Sequence, residues 1–269
     1  NSRFLKFIFF LRYLFAIFIV TISLFLTIPM FFNYEKKGDI IKNYLLQDYN
    51  LEIIEYGDIK YSAFPLPRLE LKTTQINFKK TKTNLEVTNL KIYPKIFSIY
   101  NFDNFKANKI IFDDTVANLQ IINFKALTEQ LLKQTNKISF NNLTLKITNI
   151  KKLILNIENL YFSNFGYKAN YIRGEVFDKE FKLDLGKNFR SFKFKLLNSG
   201  VEADLFFNEE QTTQKKTGTF KSKILNTNLK FNFEYDDKKL KIFDSYFRSK
   251  NLSFRNNSII AYAPFLKTK

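Results

Sequence analysis

The sequence of 269 residues contains no cysteine, no histidine and no tryptophan, and has only seven glycines and five prolines. Without cysteine there is no disulfide and no thiolate, which excludes the small secreted domains that depend on disulfides. Without histidine there is no imidazole metal ligand, no Ser-His-Asp triad and no histidine general base. These absences exclude the commonest forms of metal and nucleophilic catalysis.

The polar residues that are present form no catalytic motif. The sequence has no G-x-S-x-G, phosphate-binding loop or G-x-G-x-x-G pattern. Adjacent carboxylates at Asp113-Asp114 and Asp236-Asp237 alternate sides of a strand or cap turns, so neither forms an acid–base pair by spacing alone. Asp58 follows a glycine in a predicted turn, where a local hydrogen bond is its ordinary role. We predict that the protein is not an enzyme and uses no cofactor or metal.

The charge is strongly positive, with 43 Lys and Arg against 25 Asp and Glu, a formal net charge of +18. Such a balance is typical of proteins that bind nucleic acid or anionic lipid. However, 36 of the basic residues are lysine and seven are arginine, and Asn, Ile and Phe are abundant, as expected of an AT-rich coding sequence. Arginine is the residue that contacts phosphates and base edges in a bidentate manner. We therefore predict no nucleic-acid partner.

A membrane anchor is predicted over residues 1–34. From Tyr13 to Tyr34, 22 consecutive residues carry no charge, and a helix of that length spans a hydrocarbon core of about 30 Å. The alternative, a cleaved signal peptide, has a shorter apolar region that ends in a small-x-small site, and no such site occurs here. Basic residues flank the segment equally on both sides, and the short basic N-terminus favours an N-terminus inside and a soluble domain across the membrane.

The rest of the chain has a dominant period of two, interrupted by two helical patterns. Apolar residues at 40, 41, 44 and 45 predict a short juxtamembrane helix, and those at 124, 127 and 131 predict a second helix. Before and after the second helix, apolar residues alternate with Lys, Asn and Thr, which predicts antiparallel strands with one apolar face. We therefore predict a mainly β fold with a first β-rich block at 35–123 and a helix followed by a second antiparallel block at 124–269.

One segment gives a more specific indication of family than the overall composition does. Residues 57–71 read GDIKYSAFPLPRLEL, which resembles the AsmA family, including TamB and YhdP, at every fixed position of the pattern G-D-I-x-x-S-x-x-P-x-P-x-L-x-L. The matching residues are Gly57, Asp58, Ile59, Ser62, Pro65, Pro67, Leu69 and Leu71. The later order of strands and helix is also similar, so the resemblance covers most of the chain. Proline cannot donate ladder hydrogen bonds, so we expect Pro65 and Pro67 at a bend, with Tyr61, Phe64 and Leu66 packing that bend on the juxtamembrane helix.

The resemblance implies a single-pass inner-membrane protein of a Gram-negative-type bacterium whose soluble domain lies in the periplasm. It also implies an elongated, curved antiparallel sheet whose apolar face forms a groove. Members of that family support phospholipid transport to the outer membrane and its assembly, which makes phospholipid acyl chains the expected partner, together with other envelope proteins.

Two functions remain open at this stage. In the first, the apolar strand faces stay open as a lipid groove, with the candidates Leu143, Leu145, Ile147, Phe192, Phe194, Leu196, Phe231 and Phe233. In the second, the same faces close on each other as an ordinary core, and the protein is a scaffolding module that binds other envelope proteins. Whether the apolar strand faces are covered by protein distinguishes the two.

Overall fold

The computed structural model of the chain describes residues 2–79, 81, 83–150, 152–167, 169–186, 189–208, 215–236, 239–261 and 267–268. The fold is mainly β, with 53% of residues in strands. It divides into two compact units, one of residues 1–139 and 147–152 (unit 1) and one of residues 140–146 and 153–269 (unit 2).

The N-terminal segment is a single long helix, α1 (Ser2–Thr27), which continues into a 3₁₀ turn at Ile28–Phe31. The stretch Lys6–Phe31 is long and apolar enough to cross a membrane, and only 6% of its most apolar window is buried within the protein. One N-terminal helix of this length and composition fits either a membrane anchor or a signal sequence.

After α1, unit 1 continues with a 3₁₀ turn at Glu35–Lys37 and helix α2 (Gly38–Tyr49). Its strands are β1 (Leu51–Glu55), β2 (Ile59–Ser62), β3 (Arg68–Phe78), β4 (Thr83–Pro94) and β5 (Ala107–Gln120). Strands β1 and β2 pair with the two halves of β3, which pairs with β4, and β4 pairs with β5, all antiparallel. Unit 1 also contains helix α3 (Phe124–Leu132). Three short 3₁₀ turns lie at Ile96–Ile99, Phe102–Asn104 and Ile121–Asn123.

The core of unit 1 lies where α2 covers the sheet. Ile41, Leu45 and Tyr49 recur every four residues, so they share one face of α2, and all three are buried. The Tyr44 hydroxyl accepts a hydrogen bond from the backbone N–H of Ala107, the first residue of β5, at 2.9 Å. The sheet residues of this core are almost fully buried, among them Leu69, Leu71, Leu90, Ile92, Ile110 and Phe112.

In the neighbouring strands β3, β4 and β5, the alternation of buried and exposed residues shifts by one position at the same level of the sheet. Buried residues occupy odd positions in β3 up to Leu71 and even positions from Ile76. At the change, Thr73 in β3, Thr88 in β4 and Asp114 in β5 add no pair to the ladders, and the register is the same on either side of them. The φ angle is positive, near 50°, at Thr73 and at Asp114. Each of these residues shifts the alternation of its strand by one position. The apolar side chains on both sides of it therefore lie on the core side, because a shift of one residue exchanges the two faces of a strand.

Unit 2 is a series of antiparallel strands in chain order, and no α-helix occurs among its described residues. Part of β6 (Ile138–Asn149) and most of β7 (Lys152–Ser163) belong to it. From β7 onward each strand pairs with the next as far as β14, and β14 also pairs with β16. The later strands are β8 (Tyr171–Val176), β9 (Lys179–Asp184), β10 (Ser191–Leu196), β11 (Val201–Phe207), β12 (Lys216–Ile224), β13 (Thr227–Tyr235), β14 (Lys239–Arg248), β15 (Ser253–Phe254), β16 (Ser258–Ala261) and β17 (Lys267–Thr268).

The predicted fold class is confirmed: the chain is mainly β with one long apolar N-terminal helix and a curved, unclosed antiparallel sheet with a few short helices. The helix predicted near residue 124 is α3, which lies within unit 1, while the division between the two units passes through β6.

Candidate functional site

The strand register of unit 2 aligns apolar residues into rows that cross the sheet. Phe192 of β10 pairs with Leu205 of β11, Leu205 with Phe220 of β12, and Phe220 with Phe231 of β13. Directly paired residues lie on the same face of a sheet. The neighbouring row contains Phe207, Gly218, Phe233 and Ile242. These rows form one continuous apolar surface over β9 to β14, which we call the unit 2 apolar face.

Five of the eight groove candidates lie on the unit 2 apolar face, namely Phe192, Phe194, Leu196, Phe231 and Phe233. The other three are on β6, where Leu143 and Leu145 belong to unit 2 and Ile147 belongs to unit 1. Sequence reasoning did not select Leu205 and Phe220, which complete the row between Phe192 and Phe231. Phe220 lacks a regular apolar alternation around it, so only the strand register identifies it.

Exposure distinguishes this face from the core of unit 1. Phe192, Phe194, Leu196 and Phe231 are all partly exposed, whereas Phe233 is buried with 5% of its surface exposed. In the core of unit 1, by contrast, the corresponding sheet residues are 0–1% exposed. Ring pairs stabilise the face without covering it, as in the stack of Phe220 on Phe231, with ring centroids 4.9 Å apart. The unit 2 apolar face is therefore less completely covered than an ordinary sheet core.

Two glycines make room for the aromatic rings on this face. A Cβ atom at Gly218 would lie 2.7 Å from Cζ of Phe233, its cross-strand partner, and one at Gly174 would lie 2.9 Å from Cε1 of Phe181. Phe233 and Phe181 are the two aromatic residues of these rows that are most buried. Each ring thus lies over a glycine of the neighbouring strand, an arrangement that compensates for the missing glycine side chain.

The opposite face of the same strands is charged. Cross-strand partners Lys195 and Glu202 form an ion pair of 2.6 Å, and Lys215 approaches Glu234 at 2.8 Å. The hydrogen bond from each lysine lowers the pKa of Glu202 and of Glu234 below its ordinary value. This alternation of an apolar and a charged face agrees with the period of two in the sequence.

The end of α1 is bonded to unit 1 by two tyrosines. The Tyr61 hydroxyl donates to the carbonyl of Leu26 at 3.0 Å, and the Tyr100 hydroxyl donates to the carbonyl of Phe25. Tyr34 stacks on Tyr61 with ring centroids 6.1 Å apart, and its own hydroxyl donates to the carbonyl of Pro29 at 2.7 Å. Burial raises the pKa of the Tyr61 phenol above its usual value. The helix end is thus joined to the folded domain by hydrogen bonds and ring contacts.

The segment 57–71 has structural roles that can be assigned residue by residue. Gly57 allows close approach to β3, because its N–H donates to the carbonyl of Lys72 at 2.9 Å and a Cβ would lie 3.1 Å from that oxygen. Asp58 forms an exposed ion pair with Lys60. Pro65 and Pro67 lie in the loop between β2 and β3. The remaining family-pattern residues are Ile59, Ser62, Leu69 and Leu71, of which only Ser62 is not buried.

The expected packing on α2 is wrong for Phe64 and Leu66, and Tyr61 contacts Tyr34 and the carbonyl of Leu26 at the end of α1. Phe64 and Leu66 are 79% and 53% exposed, and only Tyr61 is buried. The reason lies in Arg68, whose guanidinium donates hydrogen bonds to the carbonyls of both Phe64 and Leu66. These bonds turn the backbone of the loop toward Arg68. The apolar side chains consequently point outward.

The two neighbouring carboxylates of β5, Asp113 and Asp114, have separate local roles. Asp113 forms an ion pair with Lys91, and this hydrogen bond raises the pKa of the Lys91 ammonium. Asp114 is the residue with positive φ that adds no pair to the β5 ladder, and Asp237 lies outside the described residues. Among the residues that the structure describes, no group of three or more Asp and Glu residues is placed to hold a metal ion.

Comparisons with protein families, with curated proteins and with solved structures found no match for this chain.

Proposed function

We propose that this chain is a non-enzymatic, membrane-anchored envelope protein that supports phospholipid transport between inner and outer membranes, or outer-membrane assembly. The resemblance of residues 57–71 to the AsmA family motivates the proposal. The observation that carries it is the unit 2 apolar face, a continuous apolar surface most of whose aromatic residues remain partly exposed. Acyl chains fit such a surface, since each CH₂ removed from water contributes about 0.8 kcal/mol.

The contacts at the end of α1 support a retained anchor rather than a cleaved signal peptide. Removal of α1 would leave the hydroxyls of Tyr61 and Tyr100 without the carbonyls of Leu26 and Phe25. It would also remove Pro29, which is buried and accepts the hydrogen bond of Tyr34. In the proposed topology the N-terminus is inside, and the chain from residue 35 onward lies in the periplasm of a Gram-negative-type bacterium.

The substitution Phe231→Glu distinguishes a lipid face from a sealed core. On an open face the carboxylate stays hydrated, so we expect a loss limited to the ring stack with Phe220, about 0.5–1.5 kcal/mol. The same charge should repel acyl chains, because burying it without a partner is costly. We therefore expect the purified variant to retain a cooperative melting transition and to lose photo-crosslinking to phospholipid.

The matched control is Lys230→Glu, which places a carboxylate at the adjacent position, on the exposed opposite face of β13. This variant should keep both the melting transition and the lipid crosslink. Collapse of the fold in Phe231→Glu alone would show that the face is a sealed core, where a buried charge costs several kcal/mol. The scaffolding function would then replace lipid transport.

A further inference from the structure

A second apolar surface, formed by loops rather than by strands, lies beside the end of α1. It consists of the loop 63–67 between β2 and β3 and the turn 95–100 after β4, and we call it the juxtamembrane surface. Its outward side chains are Phe64, Leu66, Ile96 and Phe97, which are 79%, 53%, 51% and 78% exposed. Single exposed apolar side chains are normal on a protein surface, but four large ones on two adjacent loops form a patch that indicates an interaction surface.

Both loops lie at the same end of the unit 1 sheet. Leu69, one residue into β3, pairs with Ile92, two residues before the end of β4. The loop before β3 and the turn after β4 therefore emerge side by side. The opposite end of β3 is about 33 Å away, at a rise of about 3.3 Å for each strand residue.

Contacts with α1 place this surface at a defined level of the membrane helix. The ring of Phe97 lies 6.4 Å from that of Phe25, and the ring of Tyr100 lies 4.8 Å from it. If the hydrocarbon core begins at the uncharged Tyr13, about 30 Å of helix reaches to about residue 32. Phe25 then lies within the apolar layer, so residues that touch it lie at or below its boundary.

The loops also carry the features of a lipid headgroup contact. Arg68 binds the Phe64 and Leu66 carbonyls, so the loop holds its apolar side chains outward without leaving these carbonyls unsatisfied. Lys95 and Lys106 are exposed beside the turn 95–100, and Lys106 donates its backbone N–H to Ser98. Aromatic side chains next to lysines are typical of the bilayer interface and of anionic phospholipid headgroups.

We propose that the juxtamembrane surface inserts Phe64, Leu66, Ile96 and Phe97 into the phospholipid leaflet from which α1 emerges. The inference rests on the proposed anchor, since α1 sets the depth. With α1 and two loops in the same leaflet, unit 1 has a fixed orientation on the bilayer and does not swing on a single helix.

The absence of tryptophan in the chain makes a direct test possible. Single substitutions Phe64→Trp and Phe97→Trp in the full chain, reconstituted in vesicles of phosphatidylethanolamine and phosphatidylglycerol, give one fluorophore each. We expect blue-shifted emission and strong quenching by lipids brominated near the headgroup end of the acyl chain.

The matched control is Ile122→Trp, because Ile122 is 81% exposed in the same unit. It lies by the turn at the far end of β3, where the side-chain amide of Asn123 donates to the carbonyl of Thr81. This variant should show water-exposed emission and little quenching. A second control, Phe18→Trp in the middle of α1, reports on the anchor itself.

The outcomes separate the two proposals. If Phe18→Trp is quenched but Phe64→Trp and Phe97→Trp are quenched no more than Ile122→Trp, the anchor stands and the membrane contact of the loops is overturned. A surface for a protein partner would then be the remaining explanation. If Phe18→Trp is not quenched either, α1 does not span the bilayer and both proposals fail.

Discussion

Gly218 shows how one residue controls the packing of an aromatic face. It lies between Phe206 on one neighbouring strand and Phe233 on the other, and a Cβ atom would clash with the Phe206 carbonyl oxygen. The backbone cannot relieve that contact without separating β11 from β12. Glycine is therefore required here by close approach rather than by a positive φ.

We expect Gly218→Ala to lower the free energy of unfolding by about 1–3 kcal/mol, the usual range for overpacking. Urea denaturation followed by circular dichroism measures the change. Ala203→Gly, on the same face in β11, removes a methyl group without introducing a clash and should cost less. An unchanged unfolding midpoint for Gly218→Ala would show that the two strands separate freely.

Tyr49 connects the stability of unit 1 to pH. It is 2% exposed, and burial, followed by the neighbouring Tyr44, raises the pKa of its phenol. A tyrosine in the unfolded chain has a pKa of about 10. As the pH rises, the unfolded chain therefore loses its phenol proton first, so this contribution to stability is complete below about pH 10 and decreases above it.

Tyr49→Phe removes this titration and should make the decline in stability between about pH 9 and pH 11 less steep. Denaturation of the purified protein at a series of pH values tests this expectation. Tyr167→Phe, which replaces a fully exposed tyrosine, should leave the decline unchanged. The same alkaline slope in Tyr49→Phe and in the unsubstituted protein would contradict the assignment.

At the scale of elements, the loop between β2 and β3 prevents two strands from extending. Pro65 and Pro67 lack the N–H that a ladder needs, and Arg68 holds the carbonyls of Phe64 and Leu66 on its own side. The loop is therefore kept short, irregular and apolar on its outer side.

Replacing both prolines with valine restores two donors and favours a longer, straighter edge strand. We expect aggregation of the purified protein or altered packing of α2 rather than the loss of any reaction. Light scattering and limited proteolysis measure these effects. Unchanged solubility together with an unchanged proteolytic pattern would argue against a structural role for the two prolines.

At the scale of the whole molecule, the proposed role of α1 is to anchor the protein in a membrane. The uncharged segment from Tyr13 to Tyr34 is long enough to span a bilayer. The intact protein should therefore remain in the membrane fraction during alkaline carbonate extraction. A chain that starts at residue 35 should be released, and an intact protein cleaved near Phe32 would identify a signal peptide instead.

The sequence by itself determined the type of each major element. The uncharged run predicts α1, spacing of three and four predicts α2 and α3, and alternation predicts the strands, because all of these depend on neighbours within a few residues. It also contained the phase change in unit 1, visible as apolar residues at 85 and 87 followed by 90 and 92. That Thr73, Thr88 and Asp114 stand at the same level of the three strands needed the register.

Only the tertiary structure decided which apolar residues are covered. Leu71 and Phe231 belong to similar alternating patterns, yet Leu71 is 1% exposed in a core covered by α2 and Phe231 is partly exposed. Alternation specifies on which face a side chain lies, whereas its burial depends on elements distant in the sequence. Folding also decides which distant segments come together. The loop that contains Phe64 and the part of α1 that contains Phe25 are far apart in the sequence, and folding brings them to the same level of the molecule.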